Sequence, residues 1–190
     1  MKYNQLHFLL IKKKMKKTEK LYDEIILKII NKFNMIPLKD EGGYFTETYR
    51  SKEKIEVKNL PLRYKSKRCF LTSILYLITP EHYSFLHKIF SDEIFHFYLG
   101  DSVIMLNLFE EGSSKIVKMG SDIFADENIQ HIVPKNTWQG AKLEEGGSFA
   151  LLGTTVSPGF EFEDYISAKP YKDEILKKYP AFNSLINELI

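Results

Sequence analysis

The chain has 190 residues, 44% of them hydrophobic and 14% aromatic, which suits one folded domain and excludes a disordered chain. The net charge of +2 is unevenly distributed. Residues 1–20 contain seven Lys and one Glu, whereas the remainder contains 20 basic and 24 acidic side chains. A mildly acidic body is unsuited to binding a phosphate backbone, so we expect no nucleic-acid partner.

The basic segment at residues 1–17 is predicted to be a disordered leader to a single domain at 18–190. Its Lys residues beside Phe and Leu would also suit an anionic membrane surface. Its apolar run, 6–11, is too short for a signal peptide or a transmembrane helix, so we expect no membrane partner. Met15 is an alternative start. The single cysteine, Cys69, excludes an intramolecular disulfide and favours a reducing, cytoplasmic setting.

The first predicted element is a helix at 18–34, with Thr18 as its N-cap and Pro37 beyond its end. Apolar side chains recur along it at helical spacing: Leu21, Ile25, Ile26, Ile29, Ile30 and Phe33. This stripe predicts a helix face that packs on a core rather than a binding surface.

From residue 44 onward, short runs of Ile, Val, Phe, Tyr and Thr alternate with turn residues, which is typical of short antiparallel strands. We predict strands at 44–50, 70–79, 84–90, 93–99, 102–109, 114–119, 129–133, 138–143 and 148–156. The fold class is therefore all-β dominated, a sandwich or barrel over about 44–166. Helical patterns return at 173–178 and 182–190, which gives C-terminal helices within 173–190.

The stretch at 85–101, FLHKIFSDEIFHFYLGD, contains two histidines and an acidic pair. The inward faces of neighbouring strands line one cavity in a narrow barrel, so alternation predicts that His87 and Glu93 meet inside it. The same alternation directs His96 outward, unless a bulge near Asp92 re-aims the strand. A purely structural role for both histidines fits the pattern equally well.

The spacing of His87, Glu93 and Gly100 resembles the first motif of the cupin superfamily, with Ile89 where that motif has a second His. The run VPKNTWQ resembles the second cupin motif, with Gln139 in the place of its His. Two of the four positions that usually hold metal ligands in cupins therefore carry other residues.

Four stretches, EGGYFTETYRS, SDEIFHFYLGD, VPKNTWQGA and VSPGFEFEDY, resemble one small cupin branch, the cupin 5 type, known as a domain of unknown function. The resemblance covers residues 21–190. It implies a single antiparallel jelly-roll β-barrel with an N-terminal helix and short C-terminal helices, commonly a homodimer. It implies no settled activity.

The resemblance leaves His87 and Glu93 as metal ligands, with Gln139 as a weak third, if a metal is bound at all. A firm divalent site needs three or four converging ligands. We therefore expect no required cofactor and leave open a weakly bound divalent metal.

Without a metal, His87 near the carboxylate of Glu93 is a suitable general base, because the reference pKa of His is about 6.5. Tyr98, Tyr44 or Tyr76 would be the opposing acid, a pairing that resembles the sugar-nucleotide epimerase cupins. Four further residues complete the predicted ligand contacts: Arg50, His96, Trp138 and Gln139.

Two of these assignments have open alternatives. In one interpretation, Tyr44 and Arg50 both reach the barrel mouth, and Arg50 binds a carboxylate or phosphate of the ligand. In the other, Arg50 pairs with Glu47 or Asp92. Trp138 is either a platform for a sugar ring or a core residue.

The favoured prediction is a small-molecule isomerase or epimerase acting on a carbohydrate or sugar nucleotide, with a small polar molecule as the partner. A non-catalytic sensor that binds a small ligand in the same pocket is the first alternative. A metal-dependent cupin enzyme with an incomplete ligand set is the second.

Overall fold

The computed structural model describes residues 21–190, so the predicted leader at 1–17 lies outside the described residues. Within the described residues, 21–35 and 36–190 belong to two separate compact units. In the first unit, helix α1 spans residues 21–33. It ends where Asn34 adopts a left-handed φ of 51° and the Met35 amide donates to the Ile30 carbonyl at 2.9 Å, an arrangement that closes helix C-termini.

The second unit consists of thirteen described strands and two short α-helices. The strands are β1 Ile36–Pro37, β2 Tyr44–Arg50, β3 Lys54–Ile55, β4 Arg68–Cys69, β5 Thr72–Ile78, β6 Ser84–Lys88, β7 Asp92–Gly100, β8 Val103–Leu108, β9 Ser114–Met119, β10 Gln130–Val133, β11 Trp138–Leu143, β12 Ala150–Ser157 and β13 Ile166–Ser167. The helices are α2 Lys172–Lys178 and α3 Asn183–Leu189. Among the helices within 21–190, none has the length and apolar character needed to cross a bilayer.

The strands form two main antiparallel sheets. One has six strands in the order β1-β2-β5-β12-β7-β10, and the other has five in the order β13-β6-β11-β8-β9. A small sheet pairs β3 with β4. The predicted antiparallel cupin-type fold is confirmed, and its strand boundaries follow the turn residues that the sequence places between them.

The main core lies between the two large sheets. Buried side chains of the six-stranded sheet, such as Phe95 and Leu152, pack with Met105 and Leu143 of the five-stranded sheet. A second cluster packs α2 and α3 on the other face of β6, β8 and β11. This layering leaves one end of the space between the sheets for polar side chains.

Candidate functional site

His87 on β6 and Glu93 on β7 line one cavity, although they belong to different sheets. The cavity has a volume of about 70 Å³. At 10–15 Å³ for each water-sized occupant, this holds on the order of five such groups. Apolar side chains form much of its wall: Leu38, Phe45, Ile74, Ile89, Val156, Phe160 and Phe162. The arrangement is a small, mostly apolar chamber that ionisable side chains also line.

The imidazole of His87 is buried and fixed in one orientation. Its Nδ1 donates to the Phe85 carbonyl oxygen at 2.7 Å, which leaves Nε2 as the basic nitrogen. The ring of Tyr165 stacks on the imidazole at 5.1 Å, and the Tyr165 hydroxyl donates to the Asp40 carbonyl oxygen. Burial lowers the pKa of His87 below 6.5, against the opposing effect of Glu93, so the ring is neutral at pH 7.

Glu41 is the second ionisable group at the imidazole, and its Oε1 lies 3.7 Å from His87 Nε2. The loop that carries it approaches β6 closely, because a Cβ on Gly42 would lie 2.0 Å from the Tyr83 carbonyl oxygen. Gly42 has a φ of +84°, which glycine adopts without strain. Burial raises the pKa of Glu41 to about 8, so this carboxyl group is mainly protonated at pH 7.

Glu93 accepts a hydrogen bond from the side-chain amide of Gln139 at 2.6 Å. Burial, and then repulsion from Glu41, raise the pKa of Glu93 to about 7. The same amide nitrogen lies 3.5 Å from His87 Nε2, and Gln139 Oε1 is buried without a hydrogen-bond partner. The site therefore combines a neutral base, a protonated acid and a carboxyl group that titrates near neutrality.

The donor set does not fit a resident divalent metal. The second His position of the cupin motif is Ile89, whose apolar side chain lines the cavity. Gln139 takes the last ligand position in place of an imidazole, and its amide nitrogen donates to Glu93 at 2.6 Å. Within residues 21–190, no three His, Cys, Asp or Glu side chains converge as a metal would require.

Arg50 lines the mouth of the cavity, but carboxylates already occupy its guanidinium. Its Nε and Nη2 donate to Glu47 at 2.8–3.1 Å, and Nη1 donates to Glu161 at 2.7 Å. The open question about Arg50 is therefore answered largely in favour of pairing with Glu47.

A short segment, residues 160–165, covers one side of the cavity with Phe160 and Phe162 and places Tyr165 on the imidazole. A buried ion pair holds the segment. Arg68 donates from Nε and Nη2 to both carboxylate oxygens of Asp164, at 2.9 and 2.6 Å. The side chains of this pair are each 1% exposed.

Four predicted site residues do not reach the cavity. His96 faces the opposite side of the sheet, where it contacts Thr155, because β7 pairs regularly with β12 from Asp92 to Phe97 and the predicted bulge at Asp92 is absent. Tyr98 is 54% exposed on that same face and stacks with His96. The predicted roles of both residues in the pocket are therefore wrong.

Tyr44 and Trp138 also lie away from the cavity. Tyr44 contacts His82, with ring centroids 4.8 Å apart, since its neighbour on β2 is the residue that faces inward. Trp138 packs with the helical cluster and lies 5.6 Å from Tyr171, on the face of β11 opposite Gln139. Neither side chain is placed to hold a ligand in this cavity.

Sequence reasoning missed Glu41 and Tyr165, which lie beside the imidazole, and Thr154, which lines the cavity. The two glycines after Glu41 were a usable signal, since paired glycines indicate a close approach of the backbone to another element. No local pattern distinguishes Tyr165 from the aromatic residues near it, or Thr154 from the other residues of β12.

Comparison with known proteins supports the same fold. The uncharacterized Saccharomyces cerevisiae protein YML079W is 32% identical over 151 residues, which is 74% of each chain. The crystal structure of protein SO0799 from Shewanella oneidensis has a TM-score of 0.73 and 26% identity, covering 85% of this chain and 94% of that one. A hypothetical protein from Leishmania major gives a TM-score of 0.70 at 24% identity, covering 84% and 95% of the two chains.

A more distant neighbour is the oxalate decarboxylase of Bacillus subtilis, a protein with Mn(II) centres. It matches with a TM-score of 0.50 and 19% identity, over 83% of this chain and 38% of its own. The likeness concerns the fold alone. The sequence pattern of the Cupin_5 family, described as cupin superfamily (DUF985), matches residues 27–168, and the chain belongs to that family.

Proposed function

We propose that this protein is a metal-independent isomerase that moves a proton between neighbouring carbons of a small hydroxy-carbonyl compound, a carbohydrate or a relative of one. The observation that carries the proposal is the placement of Glu41 Oε1 3.7 Å from His87 Nε2 in one small, mostly apolar cavity. A substrate that lies alongside both groups would place its C–H bond near the base and its carbonyl oxygen near the acid.

The acid and the base lie side by side, so both act on one face of the substrate. His87 Nε2 takes the proton from the carbon beside the carbonyl, and the C–H electron pair forms the double bond of an enediol. The carbonyl oxygen takes the proton of Glu41. Return of the proton from His87 to the former carbonyl carbon, with loss of the other hydroxyl proton to Glu41, gives the isomer. An epimerase that inverts one carbon would place its acid and base on opposite faces instead.

Glu93 and Gln139 serve the base rather than the substrate. The negative charge of Glu93 favours the protonated form of His87. It would therefore stabilise the imidazolium that forms when His87 takes the proton from the substrate. Gln139 ties Glu93 in place through the 2.6 Å hydrogen bond. We therefore assign these two side chains as positioning residues.

Solvent exchange tests the proposal. Protein dialysed against a chelator is incubated in D₂O with glycolaldehyde or dihydroxyacetone, and NMR follows deuterium at the carbon beside the carbonyl. We expect enzymatic exchange that survives chelation. The rate constant kcat/KM should rise as His87 loses its proton below pH 6.5 and fall as Glu41 loses its proton near pH 8. Loss of exchange on chelation, or no exchange with either probe, would contradict the proposal; saturable binding without exchange would favour a sensor.

A further inference from the structure

The charges around the cavity determine which ligands it admits. Arg50 is the only Lys or Arg among the described residues that line it. That guanidinium pairs with Glu47 and Glu161, so the cluster at the mouth has one positive and two negative charges. Counting the side chains of residues 21–190, the mouth therefore carries a net negative charge and no free cation.

The inner end of the cavity is also poor in positive charge. Its ionisable groups are Glu41, Glu93 and the imidazole of His87, whose Nδ1 already donates to a backbone carbonyl. An anion entering this chamber would lose its hydration and meet no unpaired cation in return. A phosphate or carboxylate on the ligand would also face Glu47 at the mouth.

We infer that the pocket selects small uncharged hydroxy-carbonyl compounds and rejects phosphorylated or carboxylated ones, including sugar nucleotides. The cavity volume of about 70 Å³ fits a ligand of few heavy atoms, and its wall offers apolar contacts from Ile74, Ile89 and Val156. The inference rests on the proposed function for the type of reaction. The charge selection itself is a property of binding alone.

Isosteric amide and acid probes test this selection. Glycolamide and glycolate, and likewise lactamide and lactate, differ mainly in charge at neutral pH, and their dissociation constants can be measured by NMR titration. In the wild-type protein we expect each amide to bind at least about tenfold more tightly than its acid, which corresponds to 1.4 kcal/mol.

Releasing Arg50 should reverse the preference. In the double variant Glu47→Gln/Glu161→Gln, the guanidinium can donate to a carboxylate of the ligand. The affinity for glycolate should therefore rise at least tenfold, while the affinity for glycolamide changes little. The double variant Glu56→Gln/Glu145→Gln is the matched control, because it removes the same net charge from exposed residues that do not contact Arg50.

Each outcome decides the question. Tighter binding of glycolate than glycolamide by the wild-type protein would overturn the inference and leave the acid–base reaction to be tested on anions. The inference would also be overturned if glycolate bound the wild-type protein and the Glu47→Gln/Glu161→Gln variant with the same dissociation constant, or if it bound neither. Deuterium exchange into a neutral probe remains the separate test of the proposed reaction.

Discussion

Substitution of His87 by Gln is expected to slow deuterium exchange into the best neutral probe by about 10²–10⁴-fold, the usual contribution of a general base. Gln approximates the volume of the buried imidazole and can still donate to the Phe85 carbonyl, but it cannot take a proton. The exchange rate, measured by NMR in D₂O, should fall by this factor, while the unfolding temperature should stay close to that of the wild-type protein.

Two comparisons make the His87→Gln result specific. His96→Gln changes a histidine on the outer face of the six-stranded sheet, which carries Glu93 on its inner face, so its exchange rate should match that of the wild-type protein. Glu41→Gln should be nearly as slow as His87→Gln, and the double variant should be little slower than either, because both groups act in one step. A His87→Gln protein that keeps most of its exchange rate would contradict the assignment of the base.

Asp164→Asn is expected to produce a large loss of stability. It replaces the buried carboxylate beside the guanidinium of Arg68, which is 1% exposed, with a neutral amide, and leaves the exposed Glu163 as the remaining carboxylate on that guanidinium. Breaking a buried ion pair from one side costs about 3–5 kcal/mol. For a chain of this length, a loss of about 3 kcal/mol lowers the unfolding temperature by roughly 6–12 °C, which thermal unfolding followed by circular dichroism measures.

Glu163 offers the matched comparison, since it also binds Arg68 Nη2 at 2.6 Å but its side chain is 51% exposed. Glu163→Gln should therefore cost no more than about 1 kcal/mol, as solvent-exposed ion pairs do. Because Asp164 anchors the segment that holds Phe160 and Tyr165, Asp164→Asn should also weaken binding of glycolamide. Equal losses of stability in the two variants would show that burial is not what makes the pair important.

The part of the site that was predictable from sequence follows from regular strand alternation. Residues His87 and Glu93 lie on neighbouring strands in the sequence, and a period of two along each strand predicts that both face the same space, where the structure places them. The strand boundaries were also predictable, because Gly, Pro, Asn and Asp favour turns wherever they occur in the sequence. The outward direction of His96 also follows from alternation, and the bulge proposed to re-aim it was an unnecessary exception.

The remainder of the site depends on contacts between distant parts of the chain. Glu41 reaches the imidazole because its loop passes against Tyr83, the residue just before β6, a closeness that no local pattern contains. Whether the donors of Arg50 are free depends on Glu161, which is 111 positions away in the sequence.

The protonation state of Glu41 beside a neutral His87 is the central claim, and infrared spectroscopy tests it without a substrate. A difference spectrum between the wild-type protein and Glu41→Gln isolates the carbonyl band of the protonated carboxyl group. We predict a band present at pH 7 that disappears as the pH rises through about 8. If the difference spectrum shows Glu41 as a carboxylate at pH 7, and its protonated band only at the acidic pH where an ordinary glutamate is protonated, the account is contradicted.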